Sequence, residues 1–237
     1  MAEHSAFRIL QQACPTVSVG ILTANFLSLG SELQLLERAG VKLVHIDVMD
    51  GCFCPMMTVG PPFIKALKTP LLKDAHLMID EPLETVADYA AAGADIITVH
   101  PEACSQPHRV LQHMQSLTNA NDPARGIVRG VALNPSTPLD VLEPLLEEID
   151  FILLLAINPG WGGQKFIPST FKRIEKAKQM IAESGRDILL GVDGGITKAN
   201  IAEIARAGVD MIVTGSAVFD GKAAEENARF MLEALKK

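Results

Sequence analysis

Eight short apolar runs, each separated from the next by an amphipathic stretch, recur along the whole chain of 237 residues. They fall at 17–22, 43–48, 74–79, 95–100, 130–134, 151–157, 188–193 and 211–215. Between them lie segments such as SELQLLERAG, EPLETVADYAAAG, PSTFKRIEKAKQMIAESG and TKANIAEIARAG. These carry apolar residues at helical spacing, and most end in glycine, the residue that best closes a helix C-terminus. Such alternation predicts parallel strands joined by helical crossovers, because a parallel neighbour cannot be reached by a tight hairpin. Eight evenly spaced strands predict an α/β fold, a closed (β/α)8 TIM barrel in one domain over residues 17–237. An open doubly wound sheet is the alternative. Residues 1–16 are an N-terminal extension, and a short helix under the barrel is one reading of it. The phrase Ala-Gly followed by Val or Ala recurs at 39–41, 92–94 and 207–209, between a helix and the next strand, and reads as a repeated turn.

Composition narrows the partners. The formal net charge is -7, and no basic block is present, which argues against a nucleic-acid surface. An anionic ligand therefore needs a local site. No stretch reaches the roughly 18 apolar residues of a membrane span. The N-terminus carries Glu3 and no long apolar run, so no signal peptide is expected. Cys14, Cys52, Cys54 and Cys104 fit no zinc-knuckle spacing, and a chain this long needs no disulfide staples. A cytoplasmic location is the expectation.

Chemistry in such a barrel sits at the C-terminal ends of the strands. His45 and Asp47 lie two residues apart on the second run, so strand periodicity points both the same way. His76 lies on the third run and Asp193 closes the seventh. Two imidazoles and two carboxylates converging from three strands suit a divalent metal such as Zn, Mn, Fe or Co. Taken singly, each has a plainer reading: a strand histidine is often a hydrogen-bonded core residue, and an aspartate at a strand end often caps the next helix. Asp50 is expected to cap in that way. His100 also ends a strand and has no evident partner. His4, His108 and His113 read as solvated.

Glycine marks a second feature. Asn158-Pro159-Gly160-Trp161-Gly162-Gly163 follows the sixth run, Asp193-Gly194-Gly195 the seventh, and Thr214-Gly215-Ser216 the eighth. Glycine lets backbone N–H groups approach an anion, and barrel phosphate sites often use the loops after strands 7 and 8.

VHIDVMDG at 44–51, HLM at 76–78, NPGWGGQKFIP at 158–168, VDGGI at 192–196 and GSAVF at 215–219 stand in the order and spacing of the ribulose-phosphate 3-epimerase family, which the chain resembles from about 17 to 219. The resemblance implies a metal-dependent isomerase of carbohydrate metabolism, in the pentose phosphate pathway. Its reaction would be 3-epimerisation of a ketose phosphate, D-ribulose 5-phosphate to D-xylulose 5-phosphate. It implies His45, Asp47, His76 and Asp193 as metal ligands that also face the substrate, with Asp47 and Asp193 as the acid/base pair. Gly160, Trp161, Gly162, Gly163, Gly194, Gly195, Gly215 and Ser216 would bind the substrate and its phosphate. Met49 and Met78 would line the space around the intermediate.

Several positions depart from that family's pattern. Gly20 stands in place of a serine that contacts substrate. Cys52-Phe53-Cys54-Pro55-Met56 replaces a segment like HFVPN. Asn25 stands for a common aspartate and Leu155 for a third methionine. These departures bear on which ketose phosphate is used. A hexulose 6-phosphate, or a paralogue that binds without turnover, are the alternatives. A homo-oligomer is expected.

Overall fold

The computed structural model describes residues 5–236, so His4 lies outside the described residues. Helix α1 (Ala6–Ala13) leads into strand β1 (Thr16–Gly20). There follow α2 (Leu29–Ala39), β2 (Leu43–Met49), α3 (Pro61–Ala66), β3 (Leu72–Met78), α4 (Val86–Ala91), β4 (Ile96–Val99) and α5 (Pro107–Gln115). The second half comprises β5 (Val128–Leu133), β6 (Phe151–Leu155), α6 (Thr170–Ser184), β7 (Leu189–Asp193), α7 (Ile201–Arg206), β8 (Met211–Thr214) and α8 (Ala224–Ala234). The strands close in sequence order into a barrel, and every neighbouring pair is parallel. This is the expected (β/α)8 barrel and not the open sheet. The β5–β6 crossover is a 3₁₀ helix over Leu139–Leu145, where Pro144 removes a backbone donor that an α-helix would use. Among the described residues no helix is long and apolar enough to cross a membrane.

Strand edges differ from the apolar runs for a physical reason: hydropathy reports burial, not ladder pairing. The first run extends past β1 because Ile21 is buried in a following 3₁₀ turn, and the sixth extends past β6 because Ala156 is buried as well. Conversely, β3 and β5 begin earlier than their runs because they carry Lys73 and Arg129 on the outward face. Lys73 Nζ donates to the Ile64 carbonyl at 2.8 Å, and Arg129 Nε donates to Asp150 at 3.0 Å. The repeated Ala-Gly turn is structural, as expected. Gly40 ends α2 in the left-handed region, with φ of 91°. Asp95 and Asp210, which follow two of the turns, accept from the backbone N–H groups of Lys73 and Leu190 at 2.9 and 2.8 Å.

Period-two alternation divides the strands between two cores. On β2, Val44, Ile46 and Val48 face the helices, while Leu43 faces the barrel axis. The axial core is apolar at its N-terminal end, where Leu43, Leu72, Ile96, Val128, Phe151, Leu189 and Met211 meet Ala6, Phe7 and Leu10 of α1. Helix α1 therefore plugs this end of the barrel. Further along the inward faces of β2, β3 and β7 the residues turn polar, while Leu153 and Leu155 of β6 and Val213 of β8 stay apolar.

Candidate active site

The register between β2 and β3 builds that polar layer. Leu43 stands opposite Leu72, His45 opposite Asp74, Asp47 opposite His76 and Met49 opposite Met78. Asp193, at the end of β7, reaches the same point from across β1 and β8. One ligand atom from each of His45, Asp47, His76 and Asp193 lies within 4.8 Å of all the others. His45 Nε2 is 3.2 Å from Asp47 Oδ1 and 4.0 Å from Asp193 Oδ2, and His76 Nδ1 is 3.3 and 4.0 Å from the same two oxygens. Both imidazoles are fully buried, whereas the two carboxylates keep 20% exposure toward the cavity above. The residues singled out from separate strands are thus brought together.

The supporting contacts were not legible in advance. His45 Nδ1 lies 2.7 Å from Asp74 Oδ2, which also accepts from Ser18 Oγ at 2.9 Å. Asp74 sits two residues before His76 on an inward face, and that spacing was the available signal. His100 does have partners: its Nε2 is 2.9 Å from His76 Nε2, and its Nδ1 is 3.3 Å from Glu102. Asp50 caps a turn and not a helix. Its carboxylate accepts from the N–H groups of Cys52, Phe53 and Asp80, because α3 begins only after Gly60. Asn25 caps the 3₁₀ turn at Phe26–Ser28 by accepting from Leu27 N at 3.1 Å. His108 is exposed and His113 half-buried, away from the cluster. All four cysteines are free.

Burial opposes charge throughout the cluster, and neighbours decide each outcome. Burial pulls His45 down, yet Asp74 and Asp47 raise it well above the ordinary imidazole value. Asp47 falls below the usual carboxylate range: burial pushes it up, and its neighbours, His45 above all, outweigh this. Asp193 is pushed up to about 7 by burial, and the charges of Asp47 and Asp74 add to this. Burial lowers His76, and lowers His100 to about 4.

Above the cluster opens a cavity of about 790 Å³. Met49 and Met78 line it next to the carboxylates, and Gly160, Trp161, Gly162, Gly163, Gly194, Gly195, Gly215 and Ser216 line its other side. Cys54 packs buried against Met49 and Met78, while Cys52 is exposed and Met56 borders the cavity. Gly195 is required by packing as well as by any ligand. Its φ is 68°, and a Cβ there would lie 2.3 Å from the backbone nitrogen of Phe166. At Gly162 a Cβ would meet nothing within 4 Å.

The donor set fits a divalent cation. Nitrogen and carboxylate oxygen ligands converge on one point, and the buried His76 Nδ1 has no hydrogen-bond partner.

Comparison with known proteins agrees with this geometry. The family model described as the ribulose-phosphate 3 epimerase family matches residues 16–219. The ribulose-phosphate 3-epimerase of Bacillus subtilis (strain 168) is 43% identical over 206 residues, covering 86% of this chain and 91% of the relative. The chloroplastic ribulose-5-phosphate-3-epimerase of Arabidopsis thaliana is 44% identical, covering 87% of this chain and 72% of the relative. Among solved structures, 3-hexulose-6-phosphate synthase from Salmonella typhimurium superposes with a TM-score of 0.68 at 18% identity, covering 93% of this chain and 98% of that one. A likeness at that identity speaks for the fold alone.

Proposed function

This chain belongs to the ribulose-phosphate 3-epimerase family and is an epimerase, and we propose that it interconverts D-ribulose 5-phosphate and D-xylulose 5-phosphate by proton transfer from C3 to Asp47 on one face and from Asp193 to C3 on the other. The observation that carries this reading is the placement of two carboxylates, Asp47 on β2 and Asp193 on β7, facing one cavity from different strands. Two carboxylates that face one substrate from different strands can serve as base and acid at its two faces. Asp47, ionised, takes the proton from C3 on its side of the substrate. Asp193 returns a proton from the other side and inverts the centre. In the reverse direction the roles exchange.

His45, Asp47, His76 and Asp193 would hold a divalent cation (Zn, Fe, Mn or Co). Such an ion would supply Lewis-acid stabilisation for the negative charge that develops on the ketone oxygen as C3 loses its proton. Met49 and Met78 give that charge an uncharged, polarisable surround. The glycine segments after β6, β7 and β8 offer backbone N–H groups to the phosphate, which the chain's net negative charge would not attract. The test is a panel of ketose phosphates assayed with metal-loaded protein in deuterated solvent. The reading requires interconversion of the two pentulose phosphates with deuterium entering at C3. Turnover without exchange at C3 would remove it.

A further inference from the structure

The two histidines of the cluster are held by different means. His45 Nδ1 meets a carboxylate directly, at Asp74. His76 meets another imidazole, His100, and only that ring reaches a carboxylate, at Glu102. We propose that Glu102 is a positioning residue that acts through His100 to fix the tautomer of His76, keeping the lone pair of its Nδ1 aimed into the cluster. The value of that lone pair rests on the metal reading given above, while the tautomer itself does not.

The proton count leaves one arrangement for neutral rings. An ionised carboxylate only accepts, so His100 Nδ1 must carry a hydrogen toward Glu102. A neutral imidazole has a single N–H, so His100 Nε2 is then an acceptor. His76 Nε2, at 2.9 Å, must donate to it. His76 Nδ1 is left bare, and it is the buried nitrogen that finds no hydrogen-bond partner. Asp47 Oδ1, 3.3 Å away, would draw a proton onto Nδ1 if nothing opposed it. The relay opposes it, in the way that outer partners commonly set the orientation and tautomer of a ligating histidine.

Glu102 is well placed to impose polarity because its far end is also held by donors. Its Oε1 accepts from Asn134 N at 2.9 Å and from the Thr137 hydroxyl. Arg173 on α6 fixes that turn by donating to the carbonyls of Thr137 and Asn134 at 2.6 and 3.0 Å. Burial works against charge on Glu102, but the hydrogen bonds from His100 and Thr137 hold its carboxyl at about 2.

Glu102→Gln is the decisive variant. The backbone N–H of Asn134 cannot become an acceptor, so the new amide must keep its oxygen there and turn its NH2 toward His100. His100 Nδ1 must then accept, His100 Nε2 must donate, and the hydrogen on His76 moves to Nδ1. The change is nearly isosteric, yet it reverses the chain. Long-range proton–nitrogen NMR on metal-free protein carrying 15N-labelled histidine reads both tautomers. Zn²⁺ affinity is measured by competition with a chromophoric chelator.

Wild type should show His76 as the Nε2–H form. The variant should show the Nδ1–H form and bind Zn²⁺ about 10–100-fold more weakly. A wild-type His76 protonated on Nδ1 would overturn the proposal without any variant, so a variant that fails to fold does not shelter it. A variant that keeps the Nε2–H form, or one whose tautomer reverses with Zn²⁺ affinity unchanged, would also overturn it. If wild type shows the expected tautomers but binds no Zn²⁺, the relay stands and the metal reading of the cluster falls.

Discussion

The N-terminal end of the barrel interior is apolar and closed, while its C-terminal end is polar and opens into a cavity. The same strands build both. On β2, Leu43 packs against the plug of α1 and His45 and Asp47 lie one and two pleats further on. On β3, Leu72 gives way to Asp74 and His76 in the same manner. At the closed end every residue adds buried apolar area, about 25 cal/mol per Å². At the open end three carboxylates and three imidazoles share a buried volume, and Asp193 is driven to hold its proton by burial and by its neighbours' charge. The difference teaches that stability and chemistry are separated along the strand axis. Substitutions at the two ends should therefore fail in opposite ways.

The largest expected effect lies at the polar end. Asp47→Asn and Asp193→Asn should each reduce turnover on the order of 10²–10⁴-fold, the usual worth of a general acid or base. In metal-free protein Asp193→Asn should leave the melting temperature near wild type, because burial and its neighbours already disfavour its charge, whereas Asp47→Asn should lower it, because His45 favours the ionised carboxylate. Steady-state kinetics with metal content determined in parallel, together with calorimetry, check this. Near-native turnover with metal bound would end the carboxylate assignment. Deuterium washing into one epimer without interconversion would identify which face each carboxylate serves.

At the closed end, Leu10→Ala should cost about 2–5 kcal/mol of stability, the usual range for truncating a buried leucine. Leu10 is fully buried against the axial core. The kcat of folded protein at 25 °C should stay near wild type. Urea unfolding and an assay below the transition measure the two separately. A large loss of kcat with little loss of stability would break the division between the ends.

The polar end should also respond to pH. In metal-free protein, Asp193 (raised to about 7) and His45 (raised above its ordinary value) hold protons that a cation must displace. Because both shifts are upward, lowering the pH through 7 keeps these protons on and should weaken metal binding. Raising it should strengthen binding. Calorimetric titration in two buffers of different ionisation enthalpy would show proton release near pH 6. Affinity independent of pH between 6 and 8 would contradict the shifts.

Legibility in the sequence follows the same axis. The eight strands and the cluster of His45, Asp47, His76 and Asp193 could be read because period-two alternation leaves a polar residue conspicuous in an apolar run. Lys73 and Arg129 hid two strand starts because polar side chains on the outward face look like loop. Glu102 stayed silent for a different reason: it lies on a 3₁₀ turn beyond β4, and only the fold brings it to His100. The glycines were legible as a group but not in their separate duties. Gly195 must be glycine for the backbone of Phe166 to pass, whereas Gly162 has open space beside it. Gly162→Ala is thus the cleaner probe of phosphate. It should weaken phosphorylated ligands about tenfold, roughly one charge-assisted hydrogen bond, and leave unphosphorylated ketoses unaffected. Equal weakening of both would remove phosphate from that loop.

The smallest effect is expected where the polar end meets substrate choice. Gly20 ends β1, pairs in register with His45 and lines the cavity. Its backbone lies so close to β8 that a Cβ on Gly215 would come 2.8 Å from the Gly20 carbonyl. In the other direction there is room: a Cβ on Gly20 would sit 3.4 Å from Gly215 Cα, an ordinary contact. Gly20→Ser should therefore fold without strain and leave metal affinity unchanged, while adding a hydroxyl beside the cavity. One hydrogen bond made to a substrate hydroxyl is worth about 0.5–1.5 kcal/mol, so the ratio of kcat/KM between a pentulose and a hexulose phosphate should shift by roughly two- to twelvefold. The direction reports which sugar places a hydroxyl within reach of position 20. An unchanged ratio across every ketose phosphate would mean that this missing hydroxyl plays no part in specificity.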